Sequence, residues 1–151
     1  MTGVQTCALP ISGRDDGARA LGELLAPMRH RSAQLLDANG IDCRWQVSGI
    51  DTLELPPSQS LDLMRFLQEA LTNVLKHSAS RRVDVTVARA GAELRLSVRD
   101  DGRGFAVEGT GEAGGAGLRS LRTRARRLGA ELQLQSRPGE TQVALRMPLA
   151  S

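Results

Sequence analysis

Three short runs in this chain alternate apolar and polar residues with a period of two: VDVTV at Val83–Val87, LRLSV at Leu94–Val98 and VALRM at Val143–Met147. Successive side chains of a strand point to opposite faces, so each run reads as a strand with one face buried and the other wetted. The chain must therefore build a sheet covered on one side. Ala90-Gly91 predicts a hairpin between the first two runs, Ile41 to Val47 alternates as a further strand, and Leu132 and Leu134 begin another. Helical spacing fills the intervals. From Asp15 to about Asn39 the residues Leu21, Leu24, Leu25, Met28, Leu35 and Leu36 form a broken apolar face, with Pro27 as a kink or restart and Asn39-Gly40 as a stop. Leu61 to Ser78 reads as a second helix capped by Ser58, and Leu118, Leu121, Ala125 and Leu128 as a third that ends at Gly129. Strand runs with helices between them predict a mostly antiparallel sheet with helices on one face.

At 151 residues the chain is long enough for one core, and aromatics make up only 2% of it. Trp45, Phe66 and Phe105 are the aromatics, so Leu, Val, Ala and Met must fill the core and recognition of single-stranded nucleic acid by base stacking is disfavoured. The net charge of +3 is modest, although arginine is concentrated between Arg119 and Arg127. A solvated helix face explains that run about as well as an anionic partner does. No run of 18 apolar residues exists to span a bilayer. Cys7 and Cys43 form neither a metal spacing nor a disulfide framework, and His30 and His77 are too few for a metal cluster. The first dozen residues, MTGVQTCALPIS, read as a translated sequencing adapter rather than a signal peptide and are set aside. On that reading the natural chain begins upstream.

Chemistry gathers in three segments. In LMRFLQEALTNVLKHS an apolar stripe of Met64, Leu67, Leu71, Val74 and Leu75 lies opposite Glu69, Asn73, Lys76 and His77, which share one arc of an α-helix. The strand SVRDDGRGF breaks at Asp100 and Asp101 into Gly102 and Gly104, either a solvent turn or a carboxylate held where the backbone can fold tightly. GEAGGAGLRSL runs from glycines directly into a helix, whose free N–H groups suit a phosphate, although a glycine hinge would look the same. GTGEAG at Gly109–Gly114 satisfies GxGxxG but follows no strand of a parallel βαβ unit, so it is not a dinucleotide fingerprint, and no P-loop is present.

Taken in order, these segments resemble the N, G1 and G2 boxes of the ATP-binding catalytic domain of sensor histidine kinases, the GHKL or Bergerat fold. The resemblance covers about Gly40 to Leu149 and is nearest to the subfamily that pairs with helix-turn-helix response regulators. It implies an α/β two-layer sandwich with a mixed, mostly antiparallel sheet of about five strands. It implies ATP and Mg²⁺ as cofactors. By this resemblance Asn73 helps hold the Mg²⁺, Glu69 is a metal-associated or proton-accepting group, Lys76 faces the phosphates and His77 lays its ring against the nucleotide. Asp100 accepts a hydrogen bond from the adenine amino group over Gly102 and Gly104, and Asp101 is a turn carboxylate. Gly115, Gly117 and Leu118 match GxGL and line the phosphates, and Thr141 stands near the site in the final hairpin.

The implied activity is transfer of the ATP γ-phosphate to a histidine upstream of this chain, chiefly by positioning and charge neutralisation. No phosphoacceptor pair is present: His30 is followed by Arg31 and reads as a surface or interhelical residue. The loop from Ala106 to Gly114 is short and lacks the phenylalanine box of longer-lidded relatives. Residues 13–39 are expected to be a helical tail of the upstream dimerisation region or a linker, and 40–151 the catalytic domain. Expected partners are a response regulator and a second kinase copy in a homodimer, with no nucleic acid and no membrane contact by this chain. The expected location is the cytoplasm, with anchorage of the whole protein to the inner membrane left open. A serine-kinase anti-sigma factor and a non-catalytic nucleotide-binding module are the alternatives.

Overall fold

The computed structural model of the chain describes residues 19–78, 80–102, 115–137 and 139–149. Helix α1 (Leu21–Ala38) leads into β1 (Asp42–Ser48), α2 (Pro57–Asn73), β2 (Arg82–Ala90), β3 (Glu93–Asp100), α3 (Gly115–Arg127), β4 (Glu131–Arg137) and β5 (Glu140–Pro148). The five strands form one sheet in the order β1-β2-β3-β5-β4. β1 and β2 are parallel, joined through α2, and every other pair is antiparallel. The period-two runs account for this sheet directly. Val83, Val85 and Val87, then Leu94, Leu96 and Val98, then Val143, Leu145 and Met147 all bury one face, while Asp84, Arg95, Arg99 and Arg146 lie on the other. All three helices contribute to the core on the buried face, which makes the two-layer sandwich.

Two helices stop by the same device. After α1 the N–H of Ile41 donates to Leu36 O at 2.8 Å and that of Gly40 to Asp37 O at 3.0 Å, with Gly40 at φ 78°. After α3 the N–H of Ala130 donates to Ala125 O at 2.9 Å and that of Gly129 to Arg126 O at 3.0 Å, with Gly129 at φ 66°. Both are Schellman caps, in which a left-handed glycine lets its own N–H and the next one close the orphan carbonyls. Pro27 stands inside α1, which runs on as one helix of 18 residues. Leu21, Leu25, Met28 and Leu36 of α1, in the stretch that the sequence reading sets apart as 13–39, belong to the same core as the sheet.

At α2 the structure differs from the sequence reading twice. The helix begins at Pro57 with Pro56 as its N-cap and no side-chain cap, so Ser58 lies inside the first turn instead of capping it. The fixed φ of proline already suits the first helical position, where no N–H partner is needed. At the other end the ladder changes after Asn73 into a π-helical turn, Val74–Ser78. The α-helical arc drawn through Glu69, Asn73, Lys76 and His77 therefore does not extend past Asn73. α2 also buries Leu63, Phe66 and Ala70 beyond its apolar stripe, because it packs against both the sheet and α3.

Candidate functional site

Asp100 ends β3 in phase with Leu94, Leu96 and Val98, so its carboxylate points to the core side of the sheet and is only 5% exposed. Its Oδ1 accepts the backbone N–H of Gly102 at 2.8 Å, an Asx turn just past the strand. Burial pushes the Asp100 carboxyl above the ordinary carboxylate range; the Gly102 N–H opposes this and the neighbouring Asp101 charge adds to it. Thr141 lies directly opposite Asp100 on β5 and is 2% exposed, with its hydroxyl 3.1 Å from that of Ser136 on β4. The carbonyl of Gly102 accepts the N–H of Gly139 at 2.9 Å, so the β4–β5 turn is tied to the same corner.

Asp101 faces the other way. Its Oδ1 accepts the N–H groups of Arg81 and Arg82 at 2.9 and 3.1 Å, which pins the start of β2 to the end of β3. Burial works against its charge, but the N–H groups of Arg81 and Arg82, its own N–H and the Arg81 guanidinium outweigh that and hold its carboxyl below the usual range. This is the turn carboxylate that the sequence reading expects.

The end of α2 arrives at this same end of the sheet, since β2 begins only a few residues later and Val83 pairs with Asp100. Asn73 is half-buried there and Lys76 exposed. α3 runs antiparallel to α2, as its side-chain partners show. Asp62, in the second turn of α2, meets Arg124 at 3.7 Å and Arg127 at 3.4 Å; Glu69, two turns later, accepts from Ser120 Oγ and Arg124 Nε, each at 2.5 Å. At 1.5 Å rise per residue, the first turn of α3, with Gly115 and Gly117, comes level with Asn73. The positive end of its dipole thus opens at the level of Asn73.

Asp100, Gly102 and Thr141 are brought together at one corner, and the end of α2 that carries Asn73 lies at the same end of the sheet. Leu118 instead packs its side chain into the core, at 4% exposure. Both carboxylate oxygens of Glu69 are engaged by α3. Gly104, the Ala106–Gly114 loop, the N-terminal dozen and the His77 side chain lie outside the described residues. His30 is exposed. Among the described residues no three His, Cys, Asp or Glu side chains could together hold a metal ion. Sequence reasoning missed Asp62, Ser120 and Arg124 as the residues that fix α3 to α2. The spacing, 62 and 69 on one helix and 120, 124 and 127 on the other, puts each set on one helix face, but nothing in the sequence says that the two faces meet.

Residues 58–151 match the family described as histidine kinase-, DNA gyrase B- and HSP90-like ATPases. The chain belongs to this family. Among curated relatives, the sensor histidine kinase LiaS of Bacillus subtilis is 34% identical over 110 residues, 72% of this chain and 29% of LiaS. The sensor protein VraS of Staphylococcus saprophyticus is 32% identical over 104 residues, 68% of this chain and 30% of VraS. This chain therefore spans about three tenths of the length of these relatives. The histidine kinase domain of the Erythrobacter litoralis EL346 blue-light activated histidine kinase superposes with a TM-score of 0.75 and 26% identity, covering 89% of this chain and 64% of that one. AdeS, a histidine kinase of Acinetobacter baumannii, reaches a TM-score of 0.72 at 12% identity over 89% of this chain and 67% of its own, which speaks for the fold alone. The expected two-layer α/β ATPase fold and the resemblance to sensor histidine kinases both hold. Among the described residues no helix of this ATPase domain is long and apolar enough to cross a membrane.

Proposed function

We propose that this chain binds ATP with Mg²⁺ at the corner around Asp100 and is the catalytic domain of a sensor histidine kinase, passing the γ-phosphate to a histidine outside the chain. A response regulator then takes the phosphate, the whole kinase acts as a homodimer, and the reaction runs on the cytoplasmic side, where ATP is. The names of the relatives, a sensor histidine kinase and a sensor protein, favour this over the serine-kinase alternative. The observation that carries the reading is the buried carboxylate of Asp100. One oxygen is committed to the Gly102 N–H, which orients the carboxylate to accept from an exocyclic amine such as that of adenine.

The other roles extend the same reading. The donor set fits a nucleotide-borne Mg²⁺: the Asn73 amide and the lone pairs that Ser120 and Arg124 leave free on the Glu69 carboxylate offer hard oxygens, and a protein cage is not needed where phosphates supply ligands. When bound, Mg²⁺ would neutralise phosphate charge. Lys76 presents a point charge to the phosphates and His77 its ring to the nucleotide. The first turn of α3, from Gly115 through Gly117 to Leu118, offers N–H groups to the phosphates. Gly102 and Gly104 let the backbone pass close beneath the base, and Thr141 shapes the wall beside Asp100. Glu69 accepts a proton or steadies the metal, its place set by Ser120 and Arg124.

Calorimetric titration with a nonhydrolysable ATP analogue tests this. Saturable binding is expected, weakened by Asp100→Ala with or without Mg²⁺ and by Asn73→Ala only when Mg²⁺ is present. No binding by folded wild-type chain, or equal binding by Asp100→Ala, overturns the site.

A further inference from the structure

Most arginines of the sheet are answered by a carboxylate. On the open face of the sheet Arg44 pairs with Asp42, Arg82 with Asp84, Arg95 with Glu93, Arg99 with Glu140, and Arg146 with both Glu93 and Glu131. On α3, Arg124 and Arg127 turn inward to Asp62 and Glu69. The remaining arginines of α3 break the pattern. Arg119, Arg122 and Arg126 are exposed, and among the described residues no carboxylate meets any of them. Their spacing, three and then four residues, sets them in one row along the helix.

Beside that row the surface is apolar. A cleft of about 440 Å³ runs between α3 and β4, lined by Arg122, Ala125, Arg126, Ala130, Leu132 and Leu134. It lies where the sheet ends: β4 is an edge strand, and its core-facing Leu132 and Leu134 are only half-buried. A solvated helix face explains exposed arginines, but not a leucine-lined cleft set alongside them.

We propose that α3 and β4 form a docking surface for an acidic amphipathic helix of a partner protein. Carboxylates at the same three- and four-residue spacing on such a helix meet Arg119, Arg122 and Arg126 in register, while an adjacent leucine row enters the cleft. Arginine suits this role because its planar fork grips a carboxylate with two parallel bonds. The row is short, and its apolar flank gives nothing to a phosphate backbone, so peptide is favoured over nucleic acid.

The test is fluorescence anisotropy of the folded chain with a labelled synthetic helix carrying three glutamates at this spacing beside a row of leucines. Saturable binding is expected, at least about tenfold weaker for the all-glutamine peptide and for Arg122→Glu/Arg126→Glu, with the reversed variant gaining affinity for a lysine version of the peptide. Arg122→Gln/Arg126→Gln gives the same loss should the reversed pair fail to fold. Affinity for the ATP analogue stays at its wild-type value in these variants, so failure here is separable from failure of the nucleotide site. Absence of binding to the acidic helix, equal binding by the variants, or tighter binding to a single-stranded oligonucleotide or phosphatidylglycerol vesicles overturns the proposal.

Discussion

The Glu69 carboxylate on α2 and the Arg124 guanidinium on α3 meet at 2.5 Å, and Asp62 stands 3.7 Å from the same arginine. The pair is partly buried, at 31% and 20% side-chain exposure, so it is shielded more than a surface pair and desolvated less than a core one. A double-mutant cycle of Glu69→Gln and Arg124→Met, followed by urea denaturation, should return a coupling of about 1–2 kcal/mol. Coupling within error of zero would mean that α3 is held by packing alone.

The orientation of Asp100 predicts a change of base preference. In Asp100→Asn the side-chain oxygen stays with the Gly102 N–H and an NH₂ group replaces the free acceptor. ATP affinity should fall at least about tenfold, and inosine triphosphate, whose 6-keto oxygen accepts, should be favoured over ATP. Competition titration of the two nucleotides decides it; an unchanged preference for ATP would place the base elsewhere.

The same substitution should stabilise the empty protein. The folded-state pKa of Asp100 is raised by burial, so its contribution is fully present below the unfolded carboxyl value and is lost as pH rises through the folded one. Asp100→Asn should therefore melt above wild type at pH 7, with the gap closing as pH falls through the carboxylate range. Thermal melts across that range check the sign.

Asp101 carries the opposite sign. Its folded pKa is lowered, so its contribution is present above the unfolded value and disappears as pH falls through the folded one. Asp101→Ala should cost about 1 kcal/mol at neutral pH through the lost hydrogen bonds to Arg81 and Arg82. Denaturation at pH 7 and again below the carboxylate range should show the difference vanish.

Gly40 and Gly129 offer a paired control. Each has positive φ, and nothing lies within 4 Å of where a Cβ would stand. Alanine at either position should cost about 1 kcal/mol from backbone conformation alone. Unequal losses in chemical denaturation would show that the two caps differ in more than geometry.

The strands were legible because alternation is a local signal. Even the burial of Asp100 could be read, since it continues the phase of Leu94, Leu96 and Val98 into the core. What faced Glu69 could not: its spacing from Asn73 placed it on a helix face, but Arg124 reaches it only after two more strands have been laid down. Leu63, Phe66 and Ala70 went unread for the same reason, as the second neighbour of α2 is set by topology. At Ser58 a side-chain preference lost to the stiffer preference of Pro57. The π turn leaves no mark in hydrophobic periodicity over so few residues.

That turn also bears on how the chain can change length. A π turn holds one residue more than an α ladder would over the same rise. Removing one residue of Val74–Ser78 would let the helix close as ordinary α over the same rise, and β2 would still arrive in phase. A deletion inside β2 has no such reserve: because strand side chains alternate, the apolar residues on one side of it would turn outward. The surplus residue beyond Asn73 is therefore slack between two repeats of different period, and the turn should accept a single deletion far more readily than β2 would.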